Sequence, residues 1–163
     1  MDLIPQEGFQ QKFLSCGADI VFGGGKAGAG KTFSLLVDPL RYQDISRFRG
    51  ILFRRTTPEI TNPGALWDEA SELYLRMGKY SPVPRLQDLL WRFKSGARLK
   101  FSHMENEKDK YKHQGGQYGW IGFDELTHFS SGQFFYLVGR ARSLAVPPCI
   151  RATCCAGGMG MTT

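Results

Sequence analysis

Hydrophobic positions along the chain fall into two rhythms. Short runs of strand length occupy residues 18–22 (ADIVF), 50–53 (GILF), 119–123 (GWIGF) and 149–153 (CIRAT). Runs of that length with little polar alternation suit strands buried on both faces. Between them the spacing changes. Phe33, Leu36, Val37 and Leu40 recur at helical intervals, and Pro39 is expected to bend or end that helix. Asn62-Pro63 reads as a helix start, with Leu66, Ala70, Leu73 and Met77 on one face and Gly78 as the stop. Residues 133–141 predict another helix. Such alternation predicts an α/β domain with a mostly parallel sheet flanked by helices.

Residues 91–101 (WRFKSGARLKF) follow a different rule, alternating apolar with basic. They predict a β-hairpin. A two-residue Ser-Gly turn would set Phe93 against Arg98 and mix the two faces. A three-residue loop, Ser95-Gly96-Ala97, pairs Phe93 with Leu99 and Trp91 with Phe101, and also Arg92 with Lys100 and Lys94 with Arg98. Register follows the buried face, so the second pairing is the expected one. Arg92, Lys94, Arg98 and Lys100 then share a face, where like charges opposed across a ladder repel. An anion such as DNA would relieve that repulsion; a solvated charged face is the alternative.

Composition narrows the class. The 163 residues fit one domain, and 42% hydrophobic with 22% charged residues excludes a disordered chain. Lys and Arg total 21 against 15 Asp and Glu, a net charge of +6 that favours a polyanionic partner. The apolar stretches are too short to cross a bilayer, and the first residues (MDLIPQEGFQQKFLS) lack the pattern of a secretory signal. Cys16, Cys149, Cys154 and Cys155 form no CxxC pair, which suits reduced thiols in a cytosolic protein.

Two segments carry chemistry. Gly25-Lys26-Ala27-Gly28-Ala29-Gly30-Lys31-Thr32 matches G-x4-G-K-[ST] between a predicted strand and a predicted helix. Glycines let backbone N–H groups close on phosphates, and a helix start adds its positive end. Lys31 neutralises the β- and γ-phosphates of ATP, and the Thr32 hydroxyl suits Mg²⁺. Lys26 is a second cation in the loop, either on phosphate or in solvent. The second segment, Trp120-Ile121-Gly122-Phe123-Asp124-Glu125, is an apolar strand ending in two carboxylates. Beside the loop, Asp124 would organise the metal and Glu125 would act as general base on the attacking water. No NKxD-like guanine reader is present, which disfavours a GTPase. His103, His113 and His128 show no metal-ligand spacing.

A wider array joins these motifs. It runs through Gly8-Phe9-Gln10, Ala18-Asp19-Ile20-Val21, Leu52-Phe53-Arg54-Arg55-Thr56, Asn62-Pro63-Gly64-Ala65-Leu66-Trp67 and Gln114-Gly115-Gly116-Gln117-Tyr118. It continues through Gly122-Phe123-Asp124-Glu125-Leu126-Thr127-His128-Phe129 and Arg140-Ala141-Arg142-Ser143. In this order the array resembles the N-terminal ATPase portion of the large subunit of bacteriophage terminase, a DNA-packaging motor, from about residue 8 to residue 154.

The resemblance implies a P-loop NTPase fold of the ASCE/RecA-like kind over residues 1–155, with ATP and Mg²⁺ as cofactors. It implies that Gln10 reads adenine and that Arg54 or Arg55 lies near the nucleotide. Arg140 or Arg142 would serve as an arginine finger, in cis or toward a neighbouring subunit. Implied partners are double-stranded DNA, a small terminase subunit, a portal protein and like copies in a ring, in the bacterial cytosol. The sequence departs from the family after Thr153. The expected Asn-Pro of a coupling motif is replaced by Cys155-Ala156, residues 156–163 predict an unstructured tail, and the nuclease domain is missing. Two other readings therefore accompany the motor: a truncated, nucleotide-binding remnant without useful turnover, and a helicase-like repair ATPase. The latter would lack the Arg54-Arg55 and Asn62-Pro63-Gly64 neighbourhood.

Overall fold

Seven strands form a single sheet in a computed structural model that describes residues 4–26 and 30–155. In chain order they are β1 (Ile20–Gly25), β2 (Arg49–Arg54), β3 (Val83–Arg85), β4 (Leu90–Arg92), β5 (Arg98–His103), β6 (Trp120–Phe123) and β7 (Cys149–Cys155). The helices are α1 (Phe9–Ser15), α2 (Lys31–Val37), α3 (Pro58–Thr61), α4 (Leu66–Tyr74) and α5 (Ser131–Val138). Across the sheet the order is β1-β7-β6-β2-β5-β4-β3. The first five are parallel; β4 and β3 add an antiparallel flap. The last long strand, β7, thus lies between the glycine-loop strand β1 and the acidic strand β6. The predicted mostly parallel sheet flanked by helices is what forms.

The two faces bury different sets. On one, Leu52, Trp91, Leu99, Phe101 and Trp120 pack under α1, α2 and α4. Trp91 stacks on Trp67 at 4.7 Å and meets Tyr74 edge-on. Gly122 makes room here: a Cβ would come within 2.4 Å of the Trp120 ring. The Trp120 indole donates to Asp38 at 2.8 Å, and Asp38 also meets Arg41 and, at 3.3 Å, Arg151. That cluster ties the end of α2 to β6 and β7 through charges that satisfy one another.

On the opposite face, Ile51, Phe53, Ile121, Phe123, Ile150 and Ala152 pack against Phe134 and Leu137 of α5. A complete capping box starts α5: Ser130 Oγ accepts from Gln133 N at 3.0 Å while Gln133 Oε1 accepts from Ser130 N at 3.0 Å. This face changes character along one register row. From β1 outward the aligned residues are Ile20, Ile150, Ile121, Ile51, Lys100, Leu90 and Arg85. The helix side covers Ile150, Ile121 and Ile51, leaves Ile20 exposed at the β1 edge, and stops before the cations.

Three sequence expectations shift. Asn62 caps the C-terminal end of α3, and the next helix begins at Leu66 with Ala65 as its cap. The reason lies upstream: Pro58 already sits in the first turn of a helix that closes through Asn62 N to Pro58 O. The helix predicted at 133–141 starts at Ser131 and ends at Val138, leaving Arg140 outside it. In the hairpin, Trp91 opposes Leu99 and Arg92 opposes Arg98, two residues away from the expected register. The loop is Lys94-Ser95-Gly96, closed by Phe93 N donating to Ala97 O, and Gly96 at φ +101° supplies the left-handed position such a loop needs. The buried face is nevertheless the predicted one, since a shift of two preserves parity. Residues 156–163, expected to form a tail, lie outside the described residues.

Candidate functional site

The glycine loop leaves β1 at the carboxyl end of the parallel strands and re-enters helical structure at Lys31. Ala27, Gly28 and Ala29 lie outside the described residues. Gly25 ends β1, Lys26 is exposed, and Gly30 caps α2 at φ +73°. Gly30 is required twice over, by that backbone angle and because a Cβ would meet Gln10 Nε2 at 1.9 Å. The Gln10 side chain therefore packs on the end of the loop, is 6% exposed, and accepts from Gln6 N at 2.8 Å.

The strand order brings the two predicted motifs together. Thr32 Oγ1 donates to Asp124 Oδ2 at 3.2 Å, across 92 positions of sequence. Asp124 is 2% exposed and fully engaged. Arg54 donates to the same oxygen from Nε at 2.8 Å and Nη2 at 2.6 Å, and Thr153 Oγ1 donates to Oδ1 at 3.2 Å. The Arg54 fork is itself steadied by Nη1 donating to Glu59 O at 3.2 Å. Three strand ends, β2, β6 and β7, thus converge on one carboxylate. Thr32, Thr153 and Asp124 offer hard oxygen donors of the type magnesium prefers.

Glu125 follows at φ +59°, an uncommon backbone for a side chain other than glycine or asparagine. It is half-buried and turns away from the strand line into the 3-10 turn Leu126–His128. Its Oε1 accepts from Cys155 Sγ at 3.2 Å. Lys31 Nζ reaches the same thiol at 3.2 Å and donates to Gly25 O at 2.8 Å and Cys154 O at 3.3 Å. Lys31 is only 7% exposed, so its ammonium is satisfied by carbonyls at the base of the loop. Cys155 therefore bridges the loop lysine and the strand-end glutamate.

Other predicted site residues lie elsewhere. Arg55 is exposed beside Arg54. Arg140 and Arg142 sit at the opposite, amino end of the parallel strands: Ala141 pairs with Tyr118, which precedes β6, whereas Asp124 follows it. The Arg140 guanidinium lies 5.6 Å over the Tyr136 ring, and Arg142 is exposed. Strand length alone separates both from Thr32 and Asp124, so a role as arginine finger in cis does not fit. Of the four hairpin cations, Arg92, Arg98 and Lys100 share the open sheet face. Lys94 is in the loop, near Gln43, Asp44 and Lys79.

Sequence reasoning missed Thr153 and Cys155 as members of this cluster. The signal was the parallel strand between β1 and β6: any residue near its carboxyl end must face the loop, and Thr153 aligns with Gly23 and Cys155 with Gly25.

A glycine-loop strand, an inserted parallel strand and an acidic strand in that order define the P-loop NTPase fold. The family model for the terminase large subunit, T4-like-virus type, N-terminal part, matches residues 22–145. The chain belongs to the terminase large-subunit family. Among solved structures, the large terminase of a thermophilic bacteriophage is similar over 89% of this chain and 38% of its own, with 14% identity and a TM-score of 0.70. The same protein in complex with ATP-gamma-S matches at 17% identity and TM-score 0.62, covering 89% of this chain and 36% of that one. The bacteriophage Phi-29 genome packaging motor assembly matches at 16% identity and TM-score 0.55, covering 88% and 45%. The chain thus spans well under half the length of these structures. No curated protein sequence matches it. Family membership sets aside the helicase-like repair reading.

Proposed function

We propose that the chain binds ATP with magnesium and hydrolyses it, as the ATPase part of a terminase large subunit whose intact motor moves double-stranded DNA. The observation that carries this reading is the meeting of Lys31 and Thr32 with Asp124 and Glu125 at one end of the sheet. Magnesium, when bound there, supplies positive charge that offsets the phosphate oxygens. Thr32 and Asp124 would hold it, with Thr153 and Arg54 fixing the Asp124 carboxylate from behind. Lys31 exchanges its carbonyl partners for β- and γ-phosphate oxygens. The loop backbone N–H groups and the start of α2 cradle the same phosphates. Glu125 takes a proton from the attacking water. The solved large terminase of the thermophilic phage in complex with ATP-gamma-S supports the choice of nucleotide. Gln10, packed on Gly30, steadies the loop end, and reading of adenine by its amide belongs to the same proposal. A small terminase subunit, a portal protein and further copies in a ring are the proposed partners in the cytosol of a bacterial host. Arg140 or Arg142 would act as a finger only on a neighbouring copy.

Mg-dependent ATP hydrolysis by wild type, Lys31→Ala and Glu125→Gln tests the reading. Glu125→Gln should bind ATP yet turn over at least about tenfold more slowly, a barrier change of about 1.4 kcal/mol. Wild-type turnover no faster than that of the Lys31→Ala/Glu125→Gln double variant would hand the site to the second reading, a nucleotide-binding remnant. That reading rests on Cys155, which stands where the family resemblance implies an asparagine and occupies both Lys31 and Glu125.

A further inference from the structure

Lys31 and Glu125 are tied to each other through one side chain, the thiol of Cys155. An ammonium has three N–H donors. Lys31 Nζ lies 2.8 Å from Gly25 O, 3.3 Å from Cys154 O and 3.2 Å from Cys155 Sγ, and the residue is 7% exposed. The same sulfur lies 3.2 Å from Glu125 Oε1 and donates its proton there. A continuous chain of hydrogen bonds thus runs from the loop cation, through the thiol, to the strand-end carboxylate.

Strand order makes the tie. Cys155 ends β7 and aligns with Gly25, the last residue of β1. Thr153, two residues earlier and on the same face of β7, is anchored on Asp124, so the thiol rides on a fixed strand end. Cys154, between them, gives Lys31 its carbonyl. Other residues at positions 25 and 154 would supply the same two carbonyls. The contact with sulfur and the whole link to Glu125 depend on the side chain at 155. A thiol is a weak donor and a weak acceptor, so a triphosphate can displace it.

The tie and a triphosphate compete for the same groups. Lys31 cannot donate to phosphate oxygens while its donors face the base of the loop. Glu125 Oε1 cannot accept from water while it accepts from the thiol. We propose that Cys155 is an autoinhibitory latch: it holds Lys31 and Glu125 together, and nucleotide binds the fraction of molecules in which the tie is broken. The proposal rests on the ATPase reading for the nucleotide and adds the control of its entry. An arrangement that must open before binding lowers the apparent affinity by the open fraction and leaves the bound complex unaltered. The latch therefore acts on KM and not on kcat, and Cys155 is a positioning residue rather than a catalytic one.

The test titrates the full chain with the fluorescent analogue mant-ATP and magnesium, and measures steady-state ATP hydrolysis alongside. Cys155→Ala should bind at least about fivefold more tightly than wild type, lower KM by the same factor and leave kcat within about twofold. Cys155→Ser keeps a donor and an acceptor in place and should stay near the wild-type affinity. In the Lys31→Ala background, Cys155→Ala should change affinity by less than about twofold, because no lysine is left to release. Should the alanine variant not fold, Cys155→Val carries the same test on a residue that favours strands. Equal or weaker binding by Cys155→Ala overturns the latch. So does an equal gain with and without Lys31, which would place the effect outside the tie. Tighter binding with no turnover in any variant would sink the ATPase reading and leave the latch standing. Turnover by wild type with no gain in Cys155→Ala would do the reverse.

Discussion

The two ends of the parallel sheet treat charge in opposite ways. At the carboxyl end, Asp124 takes four donated hydrogen bonds from Thr32, Arg54 and Thr153, and Lys31 is chelated by carbonyls and a thiol. At the amino end, Arg49, Arg92 and Arg98 stand abreast with no carboxylate of the described residues within 4.0 Å of them. The first arrangement fixes a few side chains in one geometry, which chemistry on a bound phosphate needs. The second leaves Arg92 and Arg98 exposed without a countercharge, beside an Arg49 held only by backbone carbonyls. One net charge of +6 hides this division, because the excess is not spread evenly.

Substitutions can break the contrast, and the largest effect should fall at the carboxyl end. Arg54→Gln leaves Asp124 buried without its cation, and removing one partner of a buried pair costs about 3 kcal/mol of stability. Urea unfolding reads it; a loss under about 1 kcal/mol would mean the pair is solvated rather than structural.

A smaller effect is expected where the cationic face meets the core. Burial first, then the charges of Lys100, His103 and Lys112, push His113 from 6.5 down to about 4. Between those values the unfolded chain takes up the proton before the folded one, so stability present above about pH 6.5 is lost as pH falls toward 4. Such a shift corresponds to about 3.4 kcal/mol, which partial solvent screening should cut to about 2 kcal/mol, and His113→Gln should flatten that part of the stability–pH curve. An identical curve in the variant would place the charge sensitivity elsewhere.

The smallest effect belongs to the row itself. Arg98→Gln should change stability by less than about 0.5 kcal/mol, and toward greater stability, since it removes a repulsion and no partner. A clear loss of stability would show that Arg98 packs rather than waits.

How legible all this was in the sequence depends on the range of the interaction. The strand, loop and helix around residues 20–37 and the acidic strand at 120–125 follow from local pattern, and the structure has both. Alternation over 91–101 gave the buried face of the hairpin but not its register. Pairings two residues apart bury the same side, and the deciding feature was the demand of Gly96 for a positive φ at the last loop position. Asn62 misled because a cap residue fits either helix end, and only Pro58 upstream tells which helix is closing. The contacts of Arg54 with Asp124 and of Lys31 with Cys155 span 70 and 124 positions. Strand order creates both, and no local rhythm encodes strand order. The same holds for Arg140 and Arg142, whose end of the strands is set by where β6 begins.

The left-handed backbone at Glu125 places a side chain where glycine would be the relaxed residue. Holding a glutamate there costs about 1 kcal/mol that a glycine would not incur. Under the proposed role as general base, Glu125→Gly should therefore stabilise the fold and abolish turnover in the same step.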